Sequence, residues 1–322
     1  MANYKELEGF SVQTLATDPD SPGWVGSIFY NSTSGTFKTV KPGGVPIGTW
    51  SSGGTMNTAR YRMMGGAGIQ TAGLVVGGYD TGLSSAVESY NGTSWTTSTS
   101  FPTTAADIGM TGTATASLAI GGNDPGANTS GVYNFNGTSW TATTSLPSVG
   151  ARIKAIGTQT AALAATGEAD PGQTPTNRTL EFDGTTWTTG GNYPISTNNG
   201  GCSGTQTAGF GFGGNSVPRV VAAYYDGTSW TTVTSLNTDK TESMFSGSGT
   251  QTNSMIARTT TTEAWNGTSW TEVAELATSR SAGGSFGTTS SMVAAGGVTT
   301  TQVANTEEWS APDVLINTLT TS

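Results

Sequence analysis

The charged and amide side chains that could bind a ligand lie in loops whose lengths differ between copies of a repeat. The loop sequences are GGYDTGLSSAVESY, GGNDPGANTSGVYNF, TGEADPGQTPTNRTLEF, GGNSVPRVVAAYY and the shorter RTTTTEAW. Loops that vary in length on one side of a repeat array are typical of a binding face. Their candidate ligand-binding residues are Asp80, Asn123, Asp124, Asp170, Arg178 and Arg219. The same residues also fit ordinary solvated loop positions.

Two of these loops carry acidic residues that could offer oxygen ligands to calcium. Asp124 lies in GGNDPGAN and Asp170 in GEADPGQT, but neither loop has the alternating acidic positions of a dedicated calcium loop. Each aspartate directly precedes a proline, where it favours a turn. We therefore predict turn-forming roles for both residues, and no metal or cofactor.

The residue types exclude most enzymatic chemistry. The chain has no histidine, which excludes Ser-His-Asp triads, imidazole general bases and histidine-ligated metals. Cys202 is the single cysteine, so no disulfide forms within the chain, and we predict a small buried residue there. A paired-carboxylate glycosidase stays open, because side chains that meet across a fold cannot be identified from the sequence. We predict that the protein is not an enzyme and has no catalytic residues.

The overall charge excludes further classes of partner. The 322 residues carry a formal net charge of −9 and no cluster of lysine and arginine, which argues against binding to nucleic acid phosphates. The chain has no apolar run near 18 residues, so we expect no membrane span. The beginning, MANYKELEGFSVQTLATD, lacks the apolar stretch of a secretory signal peptide.

A repeated unit of the chain must position these loops. Each copy of the unit contains a similar stretch of six residues. YNGTSW at 90–95 returns as FNGTSW, FDGTTW, YDGTSW and WNGTSW. Asn-Gly and Asp-Gly between strand-like runs predict β-hairpins, because both residues tolerate positive φ. The aromatic residue before each turn therefore ends one strand, and the tryptophan after it begins the next.

Two further strands precede each of these hairpins. An apolar run that usually ends in glycine, such as TAGLVVGG at 71–78, predicts a buried strand. A glycine three residues before this run predicts a tight turn from an earlier strand. Each unit therefore has four strands, which we name a, b, c and d in chain order. Four antiparallel strands repeated every 40 to 50 residues are the sequence pattern of a β-propeller blade.

The two ends of the repeat array predict how it closes. Trp50 occupies a d position without a complete a, b and c before it, and Trp309 ends a c strand with no d strand after it. Pairing these strands would complete the last blade and remove both free sheet edges. We predict an all-β fold with a six-bladed propeller over residues 47–312, an anchor and hairpin segment at 1–46 and a tail at 313–322. A seventh blade that includes the hairpin SIFYNSTSGTFKTV is the alternative.

The repeated tryptophans could stack on sugars, but their fixed place in every copy favours packing between blades. We expect this structural role at Trp50, Trp95, Trp140, Trp187, Trp230, Trp270 and Trp309.

The paired glycines, the aromatic residue and the tryptophan on the next strand resemble the kelch repeat. TWSSGGTMNTAR and the strand starts GIQTAG, GTQTAA and GTQTAG are similar to kelch-like repeat proteins of tailed bacteriophages. PDSPGWVGSIFYNSTSGTFKTV resembles a short hairpin module near the start of phage tail-fibre proteins. The resemblance implies a propeller in the virion and a binding surface, but no reaction.

The leading expectation is a non-enzymatic virion protein, of the tail-fibre or surface-adhesin type, that binds a host surface glycan or protein. Residues 1–46 would attach it to other virion proteins or assemble it into a homo-oligomer such as a trimer. One alternative is a purely structural capsid decoration, neck or tail protein. The other is a lectin-like propeller on a bacterial surface.

Overall fold

The computed structural model of the chain describes residues 12–43, 47–63, 65–125, 127–169, 172–239, 245–312 and 314–319. This part is all β, apart from one turn of 3-10 helix at Pro22–Trp24. Its strands form small, mostly antiparallel sheets in an arrangement like that of a β-propeller. The all-β prediction is therefore confirmed.

Six four-stranded antiparallel sheets, named I to VI, repeat the predicted order a, b, c, d. Sheet I comprises Gly66–Ile69, Ala72–Val76, Val87–Tyr90 and Trp95–Thr97. Sheet II comprises Gly109–Thr113, Ala116–Ile120, Val132–Phe135 and Trp140–Ala142. Sheet III comprises Lys154–Thr158, Ala161–Ala165, Thr179–Phe182 and Trp187–Thr189.

The remaining three sheets follow the same order. Sheet IV comprises Gly201–Gly204, Gly209–Phe212, Ala222–Tyr225 and Trp230–Val233. Sheet V comprises Phe245–Thr250, Asn253–Arg258, Thr261–Trp265 and Trp270–Val273. Sheet VI comprises Gly284–Gly287, Met292–Ala295, Thr306–Ser310 and, from the beginning of the chain, Thr49–Ser52.

The Asn-Gly and Asp-Gly hairpins form as predicted. In sheet I, Asn91 Oδ1 accepts hydrogen bonds from the backbone N–H groups of Thr93 and Ser94, both at 2.9 Å. The turn places Tyr90 opposite Trp95, with ring centroids 4.8 Å apart. In sheet VI the equivalent rings, Trp309 and Trp50, are opposite each other in the register and 5.5 Å apart, although more than 250 residues separate them in sequence.

The turns between strands a and b require glycine. Gly68 has a φ of +105°, and a Cβ atom there would lie 2.1 Å from the carbonyl oxygen of Ala72. Glycine is the residue that adopts this conformation without a steric penalty. The corresponding glycines of the other sheets also have positive φ: Gly112, Gly157, Gly204, Gly249 and Gly287.

The apolar core is divided among the spaces between neighbouring sheets. Leu74 and Val76 of sheet I pack with Ala119 and Phe135 of sheet II, and comparable clusters join each following pair of sheets. A further cluster joins sheet VI to sheet I. The a strands follow the same sequence of contacts, from I to VI and from VI back to I.

A separate N-terminal sheet comprises Gln13–Leu15, Ile28–Asn31, Thr36–Pro42 and Val314–Thr318. Its first two strands are parallel, unlike any pair in sheets I to VI, and it has its own small core around Phe29 and Val40. The hairpin of the seven-blade alternative therefore belongs to this sheet. Its fourth strand, Val314–Thr318, lies in the segment 313–322 that was predicted to be a separate tail.

Candidate functional site

The b–c loops and the segments between strands d and a meet at one end of the sheets, which we call the loop face. Backbone hydrogen bonds join successive sheets there. The N–H of Asp107 donates to the carbonyl of Arg62, and the N–H of Arg152 donates to the carbonyl of Asp107, both at 2.9 Å. Arg62, Asp107 and Arg152 all have φ between +50° and +60°. Asn199 and Ala282, at the equivalent positions before sheets IV and VI, have φ of +57° and +58°, so this conformation belongs to the repeat.

Five side chains form a connected group at this position, which we call the loop-face cluster: Arg62, Asp107, Arg152, Glu168 and Asn198. Arg62 Nε lies 3.0 Å from Asp107 Oδ2, and Arg62 Nη2 pairs with the same oxygen. Arg152 Nε lies 3.2 Å from Asp107 Oδ2, while its Nη1 lies 2.7 Å from Glu168 Oε1. Asn198 Nδ2 also donates to Glu168 Oε1. The segments leading into sheets I to IV therefore converge on one group of charges.

The b–c loops of sheets II and III are held against this cluster by backbone pairing. Each contains a two-stranded hairpin, Asn123–Asp124 with Ala127–Asn128 and Glu168–Ala169 with Thr174–Pro175. Isolated bridges join Asn123 to Ala106 and Glu168 to Ala151. The longest loops of the face are therefore fixed beside the cluster.

The cluster combines buried carboxylates with partly exposed arginine side chains. The side chains of Arg62 and Arg152 are each 26% exposed, whereas those of Asp107 and Glu168 are 2% and 4% exposed. Two positive and two negative side chains give no net formal charge. Burial raises the pKa of the Glu168 carboxyl, against the opposing effect of Arg152. Burial lowers the pKa of Arg62, but its hydrogen bond and charge interaction with Asp107 outweigh this and raise it overall.

Two buried acceptor oxygens of the cluster have no hydrogen-bond partner within the described residues, namely Asp107 Oδ1 and Asn198 Oδ1. Asp107 is 1% exposed and Asn198 is 5% exposed. Leaving a buried acceptor unpaired costs about 1–3 kcal/mol, so such atoms call for an explanation. Both oxygens are shielded from solvent, so their lost hydrogen bonds are a cost within the folded protein.

The predicted residues of the first two b–c loops lie on the loop face but form local contacts. Asp80 Oδ1 caps its own turn through the N–H of Gly82 at 3.2 Å, and the Asp80 carbonyl accepts from Gln302 of the loop in sheet VI. Asn123 Nδ2 donates to Asn128 Oδ1 at 3.3 Å. Asp124 lies in the hairpin of sheet II, directly after Asn123. The prediction that these residues bind a ligand stays a prediction.

The predicted arginines lie outside the cluster. Arg178 Nη1 donates to Ser148, and burial lowers the pKa of its guanidinium. Arg219 Nε donates to the Asn215 carbonyl at 3.2 Å, and its Nη1 lies 3.4 Å from Asp239. Asp170 lies outside the described residues.

The loop-face cluster is not among the residues predicted from the sequence, although a signal for it is present. Asp107 follows Arg62 by 45 residues, and Arg152 follows Asp107 by 45 residues. Alternating charge at the repeat period, directly before three successive a strands, would have indicated residues that meet. Comparison of the d–a segments rather than the b–c loops would have revealed it.

A second buried polar group lies between sheets III and IV. Lys154, Tyr193 and Cys202 line a space of about 10 Å³, which is about the size that one water molecule needs. Burial lowers the pKa of Lys154 to about 8 and raises that of Cys202 to about 12. Cys202 is 5% exposed, so the prediction of a small buried residue is confirmed. A thiol with a raised pKa is a poor nucleophile at neutral pH.

The opposite end of the sheets holds a cavity of about 140 Å³. It is lined mainly by the glycine turns between strands a and b, together with Met110, Thr111 and Phe286. In the described part of the chain, no three cysteine, aspartate or glutamate side chains gather as metal ligands. None of the helices described there has the length and apolar character needed to cross a membrane.

The comparisons with known proteins bear on the fold alone. The sequence matches no protein-family model, and no curated protein matches it. Among solved structures, the chain is similar to YjhT, with a TM-score of 0.63 and 13% identity. The match covers 81% of this chain and 99% of the YjhT chain.

Proposed function

We propose that the six sheets are the blades of a six-bladed β-propeller, closed by the strand Thr49–Ser52, and that the propeller is a binding protein without catalytic activity. The contacts of the a strands around the whole set of sheets support the ring. The apolar cluster between sheets VI and I supports it as well. The d strand from the beginning of the chain pairs with Thr306–Ser310, which would give the last blade its fourth strand and close the ring.

The observation that carries the binding role is the loop-face cluster. Charged side chains from three successive sheets converge there, their carboxylates are buried, and the side chains of Arg62 and Arg152 are partly exposed. Replacing a buried ion pair by apolar side chains is often neutral or stabilising, so a partly exposed charged network kept at the loop face favours a role beyond stability. The loops with Asp80, Asn123 and Asp124 would extend the contact surface.

The protein would act in the virion of a tailed bacteriophage and bind a glycan or protein of the host surface. The placement in a virion rests on the sequence resemblance. The N-terminal sheet supports an attachment role, because most of the exposed large apolar side chains in the described part of the chain lie in its strands or in the residues that flank and join them. These are Val12, Val25, Ile28, Phe37 and Leu319, against Ile69 and Val217 elsewhere. Exposed apolar groups gathered in one region are typical of interaction surfaces.

The test is binding of the full chain to an array of bacterial capsular and O-antigen polysaccharides. The protein would be displayed on streptavidin tetramers through an N-terminal biotin, because multivalency raises weak affinities by about 10²–10⁴. Asp107→Asn changes the cluster. Asp226→Asn is the matched control, because it makes the same change in an exposed turn where Asn91, Asn136 and Asn266 already stand in other copies.

We expect the wild type and Asp226→Asn to bind the same polysaccharides and Asp107→Asn to lose them. If the wild type binds none of the array and also fails to bind intact bacterial cells, the adhesin role is wrong. A structural accessory role would then be the better explanation, with the N-terminal sheet as its docking element. Thermal melting of each variant separates loss of binding from loss of fold.

A further inference from the structure

The N-terminal sheet carries a further inference about its partner, which rests on the proposed attachment role of that sheet. We propose that one face of the N-terminal sheet packs against the same face of a second copy of the chain. The two four-stranded sheets would form a sandwich, and the loop faces of two copies would be held in one particle.

One face of the N-terminal sheet, which we call the inner face, is covered by the chain itself. Phe29 and Val40 lie on this face, and Trp24 packs against them from the segment that joins the first two strands. Asp18 of the same segment pairs with Lys38, with Oδ2 and Nζ 2.7 Å apart. This segment therefore supplies the second layer that an apolar sheet face requires.

The opposite face of the sheet, which we call the outer face, presents exposed apolar side chains. Side chains alternate between the two faces along a strand, and Ile28 is 47% exposed next to the fully buried Phe29. The register places Phe37 opposite Tyr30, with ring centroids 5.2 Å apart. The N–H of Leu319 donates to the carbonyl of Phe37 at 2.9 Å, which continues the row into the last strand. Phe37 and Leu319 are 39% and 46% exposed, so an apolar row crosses the sheet in contact with solvent.

The outer face has almost no charged side chains. By the strand register, its residues in the described part of the chain are Val12, Thr14, Ile28, Tyr30, Phe37, Thr39, Lys41, Asn317 and Leu319. Lys41, at one end of the face, is the single charged residue among them. Two identical outer faces can therefore meet with little repulsion, although each chain carries a formal net charge of −9.

This composition favours a second copy over a different protein as the partner. A different protein is usually selected by charged groups that complement its own, and the outer face offers few of them. A two-fold contact between identical chains requires only that one surface complements itself. Two apolar sheet faces meet this requirement when they stack about 10 Å apart with interdigitating side chains.

The size of the outer face indicates a weak and reversible pair. Four strands of about five residues, spaced about 4.8 Å apart, span roughly 300 Å², so a pair would bury on the order of 600 Å² or more. Complexes of this size are typically transient, and we expect a dissociation constant of roughly 10–100 µM. Attachment through two copies would raise the avidity of the loop faces for a repetitive surface.

The experiment is sedimentation equilibrium of the full chain from about 1 µM to about 500 µM, a range that spans this dissociation constant. The average mass of the wild type should rise from one chain toward two. Ile28→Glu should weaken the association about tenfold or more, because it places a like charge on both apolar faces. Val25→Glu is the matched control, since it makes a similar change at a 40% exposed residue of the segment that covers the inner face. It should leave the association unchanged.

Ile28→Lys provides a second variant that separates a lost contact from a lost fold. Alone it should also weaken the association, whereas an equimolar mixture of the Ile28→Glu and Ile28→Lys proteins should associate about tenfold or more tightly than either one. Mixing cannot repair a folding defect, and thermal melting of each variant checks the fold directly.

A single-chain mass for the wild type up to about 500 µM would overturn the proposal. Association that is unchanged in both Ile28 variants would place the contact elsewhere and also overturn it. The polysaccharide array decides separately on the adhesin role, because display on streptavidin supplies multivalency without this pairing.

Discussion

Replacing Glu307 by leucine should destabilise the protein by about 5 kcal/mol. Glu307 is buried in sheet VI, where its Oε1 pairs with Nη1 of the equally buried Arg280. It also accepts the backbone N–H groups of Ala277 at 2.6 Å and Thr278 at 3.2 Å. Removing one partner of a buried ion pair costs about 3–5 kcal/mol. Ala277 is exposed and Thr278 is half-buried, so water can bond much of what the two N–H groups lose, and the total stays near the upper end of that range.

Other sheets indicate how this loss can be reversed. Sheets I and V repeat the arrangement, since Glu88 and Glu263 each accept two backbone N–H groups from the segment before strand a. Sheets II, III and IV carry Tyr133, Leu180 and Ala223 at the glutamate position. Those sheets have Pro102, Pro147 and Pro194 where Ala277 stands, so the N–H that would lack an acceptor is absent.

The triple variant Ala277→Pro, Arg280→Met and Glu307→Leu should therefore recover most of the stability that Glu307→Leu loses. Urea unfolding followed by tryptophan fluorescence gives the free energies, and the single variant should also melt roughly 10 °C lower. Glu272→Leu is the control, because it makes the same change at an exposed position. A Glu307→Leu protein within about 1 kcal/mol of wild type, or a triple variant no more stable than the single one, would refute the reasoning.

Three further predictions follow from the fold. Gly68→Ala should cost about 1–3 kcal/mol in urea unfolding because of its positive φ and the contact with a backbone oxygen, whereas Gly82→Ala, with open space around it, should cost less than about 1 kcal/mol. The pKa of Lys154 is depressed from its ordinary value of 10.5 to about 8, so the folded protein loses this proton at a lower pH than the unfolded chain does. The free energy of unfolding should therefore rise by roughly 1 kcal/mol from pH 7 to 9. Lys154→Met should remove this rise. Above pH 9 the raised pKa of Cys202 acts in the opposite direction, because the unfolded thiol ionises first. Light scattering should give an oligomer for the full chain and a single-chain mass for residues 47–312; equal association states would contradict an assembly role for the N-terminal sheet.

The sequence predicted the repeated hairpins because their chemistry is local. An Asn-Gly or Asp-Gly turn fixes its own conformation through hydrogen bonds such as those of Asn91, and the flanking aromatic rings then face each other. The pairing of Trp50 with Trp309 is distant in sequence, yet it could be predicted because each strand lacked a partner.

The loop-face cluster could not be predicted in the same way. Most of its members lie in segments without regular structure, and their approach depends on positive φ at Arg62, Asp107 and Arg152, which an arginine does not signal. The candidate residues were chosen for their position in variable loops, but their side chains bond mainly within or beside their own loops. The variable lengths of the b–c loops indicated the loop face. The 45-residue spacing of Arg62, Asp107 and Arg152 indicates the cluster itself.

The pairing of Val314–Thr318 with Thr36–Pro42 was missed because the last strand carries no repeat signature. This pairing has a mechanical consequence. The N-terminal sheet is joined to sheet VI by two covalent connections, one after residue 42 and one after residue 310, instead of one. A pulling force applied to the N-terminal sheet is therefore divided between two lengths of chain. Because both connections lead into sheet VI, the N-terminal sheet cannot rotate freely about a single linker, and its orientation is coupled to that of the loop face.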